Sequence, residues 1–159
     1  MPLSVSTLGR RLPIMEKLIE LLRRHEGVEK HVYLDTEGLE TIGVGRNVSK
    51  TGLGLSDDEV NYLLQNDISR VIKELSGAFP WFSELNEARK DAMISLGFNL
   101  GLPRLLKFKN ALKSMSSGDF EEAAEHFLDS RWATQVKGRA IELTDMIRSG
   151  EYAGTKNPV

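Results

Sequence analysis

Cysteine is absent from this chain of 159 residues. No disulfide framework, thiol nucleophile or thiolate-bound zinc can therefore be built from it. Long apolar runs are missing as well: uninterrupted stretches reach only three or four residues, far short of the roughly 20 that span a bilayer. The N-terminus lacks the apolar segment of a secretory signal, and Arg10-Arg11 meets Glu16 too early to serve as a twin-arginine signal. The chain is therefore expected to stay where it is made, without membrane insertion. An excess of either charge is the third absence. Lys and Arg number 21 against 23 Asp and Glu, a net charge of -2, which excludes the strongly basic footprint of a nucleic-acid binder. There is no collagen-like or low-complexity bias, and no repeat of fixed period that would signal a solenoid.

What is present is the composition of a globular protein, 40% apolar and 28% charged. A chain of this length can withdraw roughly 70% of its unfolded surface from water and hold one core unaided. Residues 1–12 show no periodic pattern and are expected to form an irregular arm, with residues 13–159 as a single domain. From Pro13 the apolar positions Ile14, Leu18, Leu21 and Leu22 recur at helical spacing, with proline suited to the first turn and Gly27 to the left-handed stop. Residues 27–56 change character. Val32, Tyr33, Thr41, Ile42, Val44 and Val48 favour strands, and Asp35-Thr36-Glu37-Gly38 is a turn cluster between them. Ser56-Asp57-Asp58-Glu59 then forms a capping box that opens a helix over 57–76, in which Val60, Leu63, Leu64, Ile68, Val71, Ile72 and Leu75 make an apolar stripe predicted to be buried. Everything after Pro80 reads as helix: 86–100, 103–117, 119–128 and 131–148. The fold class is α+β, with a small antiparallel hairpin lobe at 27–56, a larger all-helical lobe at 80–159 and a long helix joining them.

Three polar residues gather around the predicted hairpin. Glu26 ends the first helix, Asp35 lies in the turn nine residues on, and Thr41 begins the returning strand. Cleavage of a glycosidic bond needs an acid that protonates the leaving oxygen and a carboxylate that activates water on the opposite face, and two differently housed carboxylates supply both roles at one pH. Spacing alone does not separate such a pair from carboxylates on a solvated surface.

The residues themselves say more. His25-Glu26-Gly27, Tyr33-Leu34-Asp35-Thr36-Glu37-Gly38 and Thr41-Ile42-Gly43-Val44-Gly45 closely resemble the signature of the phage-type lysozymes, and most closely the T-even phage enzymes. The resemblance runs over about residues 14–152, because Phe98-Asn99-Leu100-Gly101, Ser130-Arg131-Trp132 and Arg148-Ser149-Gly150 are similar to the family's C-terminal lobe. It implies a bilobed lysozyme-like fold and an endolysin that hydrolyses the β-1,4 bond between N-acetylmuramic acid and N-acetylglucosamine of bacterial peptidoglycan, without metal or organic cofactor. Glu26 would be the general acid, Asp35 the base that activates water and Thr41 the residue that holds that water, with inversion at the anomeric carbon. Phe98, Asn99, Asn110 and His126 fall where family members line the saccharide groove. Arg139 aligns with an arginine that neighbours the acid, and its other reading is a helix-surface charge. The family implies a monomer that waits in the host cytoplasm until released to the wall.

Departures from the T-even pattern carry expectations of their own. The stretch between Gly45 and Ser56 is shorter than in those relatives, so a helix of their β lobe should be missing. Arg46 stands where they carry a histidine paired with an aspartate, and the matching aspartate is Asp67, which predicts an Arg46–Asp67 ion pair. Residues 1–96 carry a net -3 and residues 97–159 a net +1, so attraction to an anionic wall should be modest.

Other motifs lead nowhere. His25-Glu26 lacks the second histidine of a zinc protease at the required spacing. Gly43-Val44-Gly45 has neither the third glycine nor the following helix of a dinucleotide loop, and reads as strand glycines permitting a close approach of backbone or substrate. Trp81 and Trp132 read as core rather than sugar platforms. Two competing functions remain, a lytic domain of a virion component and a module that grips glycan without cutting it. Retention of Glu26, Asp35 and Thr41 argues against the second. Asp35 and Thr41 also argue against an intramolecular transglycosylase, which needs no water-activating base.

Overall fold

The computed structural model describes residues 5–152, and side chains from Met15 onward. The chain divides into two compact units, Met1–Leu63 and Leu64–Val159. In the first, helix α1 (Val5–Glu26) leads into strands β1 (Glu29–Leu34), β2 (Glu40–Gly43) and β3 (Arg46–Asn47), an antiparallel sheet in the order β1-β2-β3. Tyr33 lies opposite Thr41, and Thr41 opposite Asn47, so Thr41 sits on the central strand. Helix α1 begins at Val5 rather than at Pro13, so residues 5–12 are helical and not an irregular arm. The spacing Leu8, Leu12, Met15, Ile19, Leu22 carries a helical period back through the proline, which costs one backbone hydrogen bond without ending the helix.

Helix α2 (Asp57–Ala78) contains the boundary between the units. Its start is the predicted capping box: Ser56 N–H donates to Glu59 Oε1 at 2.9 Å and Glu59 N–H to Ser56 Oγ at 3.2 Å. Its apolar stripe is buried only in part. Val71 and Leu75 are buried, whereas Val60, Leu63, Leu64 and Ile72 are 38–49% exposed. Burial is confined to the turns where Gly97 lets another helix approach: a Cβ there would lie 2.9 Å from Val71 Cγ1. Truncation of Leu64 is accordingly expected to cost well under the 2–5 kcal/mol of a fully buried leucine.

The second unit continues with a 3-10 turn (Phe82–Glu84) and helices α3 (Glu87–Leu100), α4 (Leu102–Leu105), α5 (Lys109–Ser117), α6 (Phe120–Leu128), α7 (Arg131–Val136) and α8 (Gly138–Ser149). Its core gathers Met93, Leu96, Leu105, Met115, Phe127, Trp132 and Ile147. The ring of Phe108 packs against Phe127 at 5.5 Å and meets Trp132 edge-on at 6.5 Å. Both tryptophans belong to the core side: Trp132 is buried, and Trp81 stacks on Phe79 at 4.9 Å. Arg89 of α3 closes the C-terminus of α8, with Nε donating to the Ile147 carbonyl at 2.7 Å, Nη2 to that of Arg148 at 3.1 Å, and its guanidinium 3.8 Å above Phe120. Such cation capping satisfies the carbonyls that a helix end leaves without partners.

Two predicted helices are each divided. The segment 103–117 breaks at Phe108, whose backbone leaves the helical region as its ring turns into the core. The segment 131–148 breaks at Lys137, which adopts φ 42° and ψ -104°. Lys137 is the one non-glycine residue with positive φ among the described residues, a conformation that costs an L-residue on the order of 1–3 kcal/mol. Glycine adopts it freely and loses at most about 1 kcal/mol through greater unfolded-state entropy. Lys137→Gly is therefore expected to raise the melting temperature by a few degrees. A lowered melting temperature in a thermal scan would mean that the lysine side chain contributes more than its backbone costs.

Candidate active site

The sequence places each member of the Glu26, Asp35, Thr41 set by a different local device. Glu26 is the last residue of α1, where Gly27 turns the chain at φ 76° and its N–H closes on the Arg23 carbonyl at 2.9 Å. Only glycine enters that region without a Cβ penalty, so the helix stops there and leaves the Glu26 side chain exposed. Asp35 holds the β1–β2 turn. Its Oδ1 accepts the N–H groups of Glu37 at 2.8 Å and Leu39 at 2.9 Å, while its own N–H donates to the Leu39 carbonyl at 3.0 Å. This is an aspartate-stabilised turn, and it consumes one carboxylate oxygen while Oδ2 takes no part in it. Thr41 is buried at 3% exposure, and its hydroxyl donates to the Leu39 carbonyl at 2.9 Å. The Leu39 peptide thus binds both residues, Asp35 through its N–H and carbonyl and Thr41 through its carbonyl.

A fourth residue fastens the sheet. Arg46 Nη1 donates to Glu59 Oε1 at 2.7 Å and to the Gly54 carbonyl at 3.0 Å. The predicted pair with Asp67 is not formed; Asp67 pairs with Arg70 on its own helix at 3.4 Å. The longer arginine reaches the first turn of α2, where Glu59 already faces it through the capping box. The Arg46 guanidinium, with the Ser56 hydrogen bonds second, holds the Glu59 carboxyl from its ordinary 4.5 down to about 2. A carboxyl with a depressed folded pKa stabilises fully above its unfolded value and loses that contribution as pH falls through the folded value. The contribution should therefore fade between about pH 4.5 and 2. Both side chains are over a quarter exposed, so screening keeps the effect modest. Glu59→Gln should lower the melting temperature at pH 7 and flatten this part of the acid limb; an acid limb identical to wild type would remove Glu59 from the account.

The remaining predicted residues lie in the second unit and do not converge. Asn110 and His126 line one groove of about 630 Å3 with Arg104, Lys107, Lys109, Arg131 and Gln135. His126 also faces Glu122 at 3.5 Å. Phe98, 49% exposed, belongs to a separate apolar depression with Leu64, Ile68 and Ile94. Asn99 uses its side-chain oxygen to accept the Trp132 indole N–H at 2.8 Å. Arg139 lies exposed in the first turn of α8 and does not line the Asn110 groove. The cations of that groove were not singled out from sequence. The signal is in the sequence: Arg104, Lys107 and Lys109 of the groove occur with no acidic residue between positions 98 and 118. Among the described residues, no three His, Cys, Asp or Glu side chains gather to hold a metal ion, and no helix is long and apolar enough to cross a membrane.

A helix feeding a small antiparallel sheet, followed by an all-helical unit, makes this α+β chain lysozyme-like in fold. The chain belongs to the phage lysozyme family, whose model matches residues 23–148, and is thereby a lysozyme-type hydrolase. It is 31% identical to the pre-baseplate central spike protein Gp5 of Enterobacteria phage T4, over an alignment covering 84% of this chain and 28% of that protein. It is 26% identical to a probable T4-type lysozyme 1 of Dictyostelium discoideum, covering 86% of this chain and 96% of the relative. With the endolysin of Salmonella phage P22 it shares 29% identity, covering 69% and 77%. The chain thus spans well under a third of the spike protein and most of the two shorter relatives.

Proposed function

We propose that this chain hydrolyses the β-1,4 bond between N-acetylmuramic acid and N-acetylglucosamine in bacterial peptidoglycan, with inversion, and without metal or organic cofactor. The observation that carries this reading is the division of labour around the Leu39 peptide. The Asp35 carboxylate is fixed through Oδ1, which leaves Oδ2 to take a proton from water. The Thr41 hydroxyl proton is committed to the Leu39 carbonyl, so its oxygen can accept a hydrogen bond from the water's other O–H, which keeps its proton. A water held between them has its lone pair directed away from both groups, toward an anomeric carbon. Glu26, exposed at the end of α1, protonates the leaving oxygen. Asn110 and His126 contact the glycan or its substituents along the groove of the second unit, Phe98 and Arg139 add contacts, and Asn99 supports the site by fixing Trp132. Residues 13–159 act as one lysozyme domain and as a monomer.

Turbidity loss on purified peptidoglycan tests cutting against mere binding. Product analysis by proton NMR tests the stereochemistry: the α-anomer should form first, and the β-anomer first would move Asp35 to a nucleophile role.

Two settings fit the relatives. The endolysins support a free enzyme that accumulates in the host cytoplasm and reaches the wall at lysis. The likeness to a central spike protein supports a lytic domain carried by the virion. Antibody detection of the chain in purified particles separates them: its presence there selects the second setting, and its confinement to the lysate selects the first.

A further inference from the structure

We infer that Gly45 is a positioning residue for the acid, its bare α-carbon forming a wall against which the Glu26 carboxyl rests. The inference depends on the acid role proposed above for Glu26. A Cβ built on Gly45 would lie 3.0 Å from Glu26 Oε2, 3.4 Å from its Cδ and 3.5 Å from its Cβ. The contact is specific to this position in the turn. Gly43, two residues earlier and also at positive φ, has nothing within 4 Å of the equivalent point.

The surroundings decide which side yields when a methyl is added. Gly45 lies between β2 and β3, and Arg46 pairs in register with Ile42 while its guanidinium grips Gly54 and Glu59. That backbone is tied at several points. Glu26 meets it with the end of a rotatable, exposed side chain. The carboxyl therefore moves and the turn stays. In stability such a shift is cheap, but a proton donor must lie within hydrogen-bond reach of the leaving oxygen. A methyl also strips water from one carboxylate oxygen, which disfavours the charged form. A general acid works while protonated, so the alkaline limb of the pH–rate profile should move to higher pH. The charged residues nearest in the chain are Arg23, Arg24 and His25 on α1, Glu29 and Lys30 on β1, and Arg46. Gly45→Ala leaves all of them in place.

Gly118 provides the control, because it has φ +76° beside +69° at Gly45 and nothing within 4 Å of its Cβ position. Alanine at positive φ strains the backbone at either position, and only Gly45→Ala touches Glu26. Both are assayed on purified peptidoglycan well below the lower of their melting temperatures, so that each is folded. The expected result is a drop in melting temperature for both. Only Gly45→Ala should lose about tenfold or more in kcat with little change in KM, together with an upward shift of the alkaline limb. In a Glu26→Asp background, whose carboxyl is one methylene short of the wall, Gly45→Ala should add little further loss. An alkaline limb at the wild-type position with activity matching Gly118→Ala would overturn the inference. If Glu26→Gln is inactive while Gly45→Ala behaves as the control does, the acid role stands and the wall does not. Full activity in Glu26→Gln would remove the acid role itself.

Discussion

Glu26→Gln is expected to abolish lysis while the protein still folds. Gln matches Glu in size and remains at the solvent-exposed end of α1. Its amide can donate a hydrogen bond to a glycosidic oxygen but cannot transfer the proton that lets the bond break. General acid catalysis typically contributes 10²–10⁴-fold, so clearing of peptidoglycan should fall by about that factor. The thermal transition should stay cooperative and within a degree or two of wild type. A folded Gln variant that clears at the wild-type rate would place the acid elsewhere.

Asp35→Asn should be comparably severe, and its contrast with Asp35→Ala is informative. Asn keeps an Oδ1 that accepts the Glu37 and Leu39 N–H groups, so the β1–β2 turn and the Leu39 peptide that receives the Thr41 hydroxyl should persist. What it loses is the capacity to accept a proton from water. Activity should fall by roughly 10²–10⁴-fold with the melting temperature nearly unchanged. Asp35→Ala removes the base and also leaves two N–H groups of the turn without their partner, so it should lose activity and stability together. Equal melting temperatures for the two variants would show that the turn does not depend on Oδ1. Retained lysis in the Asn variant would exclude Asp35 as the base.

These expectations were legible early because they rest on short-range structure. The stop at Glu26-Gly27 and the turn at Asp35 each close within four residues. The capping box at Ser56 spans three. A hydrogen bond over so short a span is set by residue type and spacing, with little freedom for the rest of the chain to revise it. The same local logic fails at the first helix: Pro13 reads as a start, yet the helix runs through it from Val5. Gly43-Val44-Gly45 announced a close approach without naming its partner, and the partner at Gly45 is Glu26, 19 residues away.

Sequence by itself determined the α+β class, the family and the three residues proposed for chemistry, because helix stops, turns and the signature around Glu26 are written in consecutive positions. Tertiary structure decided the rest. Arg46 could face several acids, and reach together with the prior orientation of Glu59 chose that residue over Asp67. An amphipathic stripe on α2 states only which positions can be buried; the approach allowed by Gly97 confined burial to Val71 and Leu75. The helix predicted at 103–117 has no interior glycine to divide it, yet it breaks at Phe108, whereas the one predicted at 131–148 breaks at Lys137, beside Gly138. Core packing turns the Phe108 ring inward against Phe127 and Trp132. Asn110, His126 and Arg131 are distant in sequence and share one groove only because α5, α6 and α7 fold around a common core. Contacts of that range depend on how helices fill space together, a property of the whole packed chain that no local window contains.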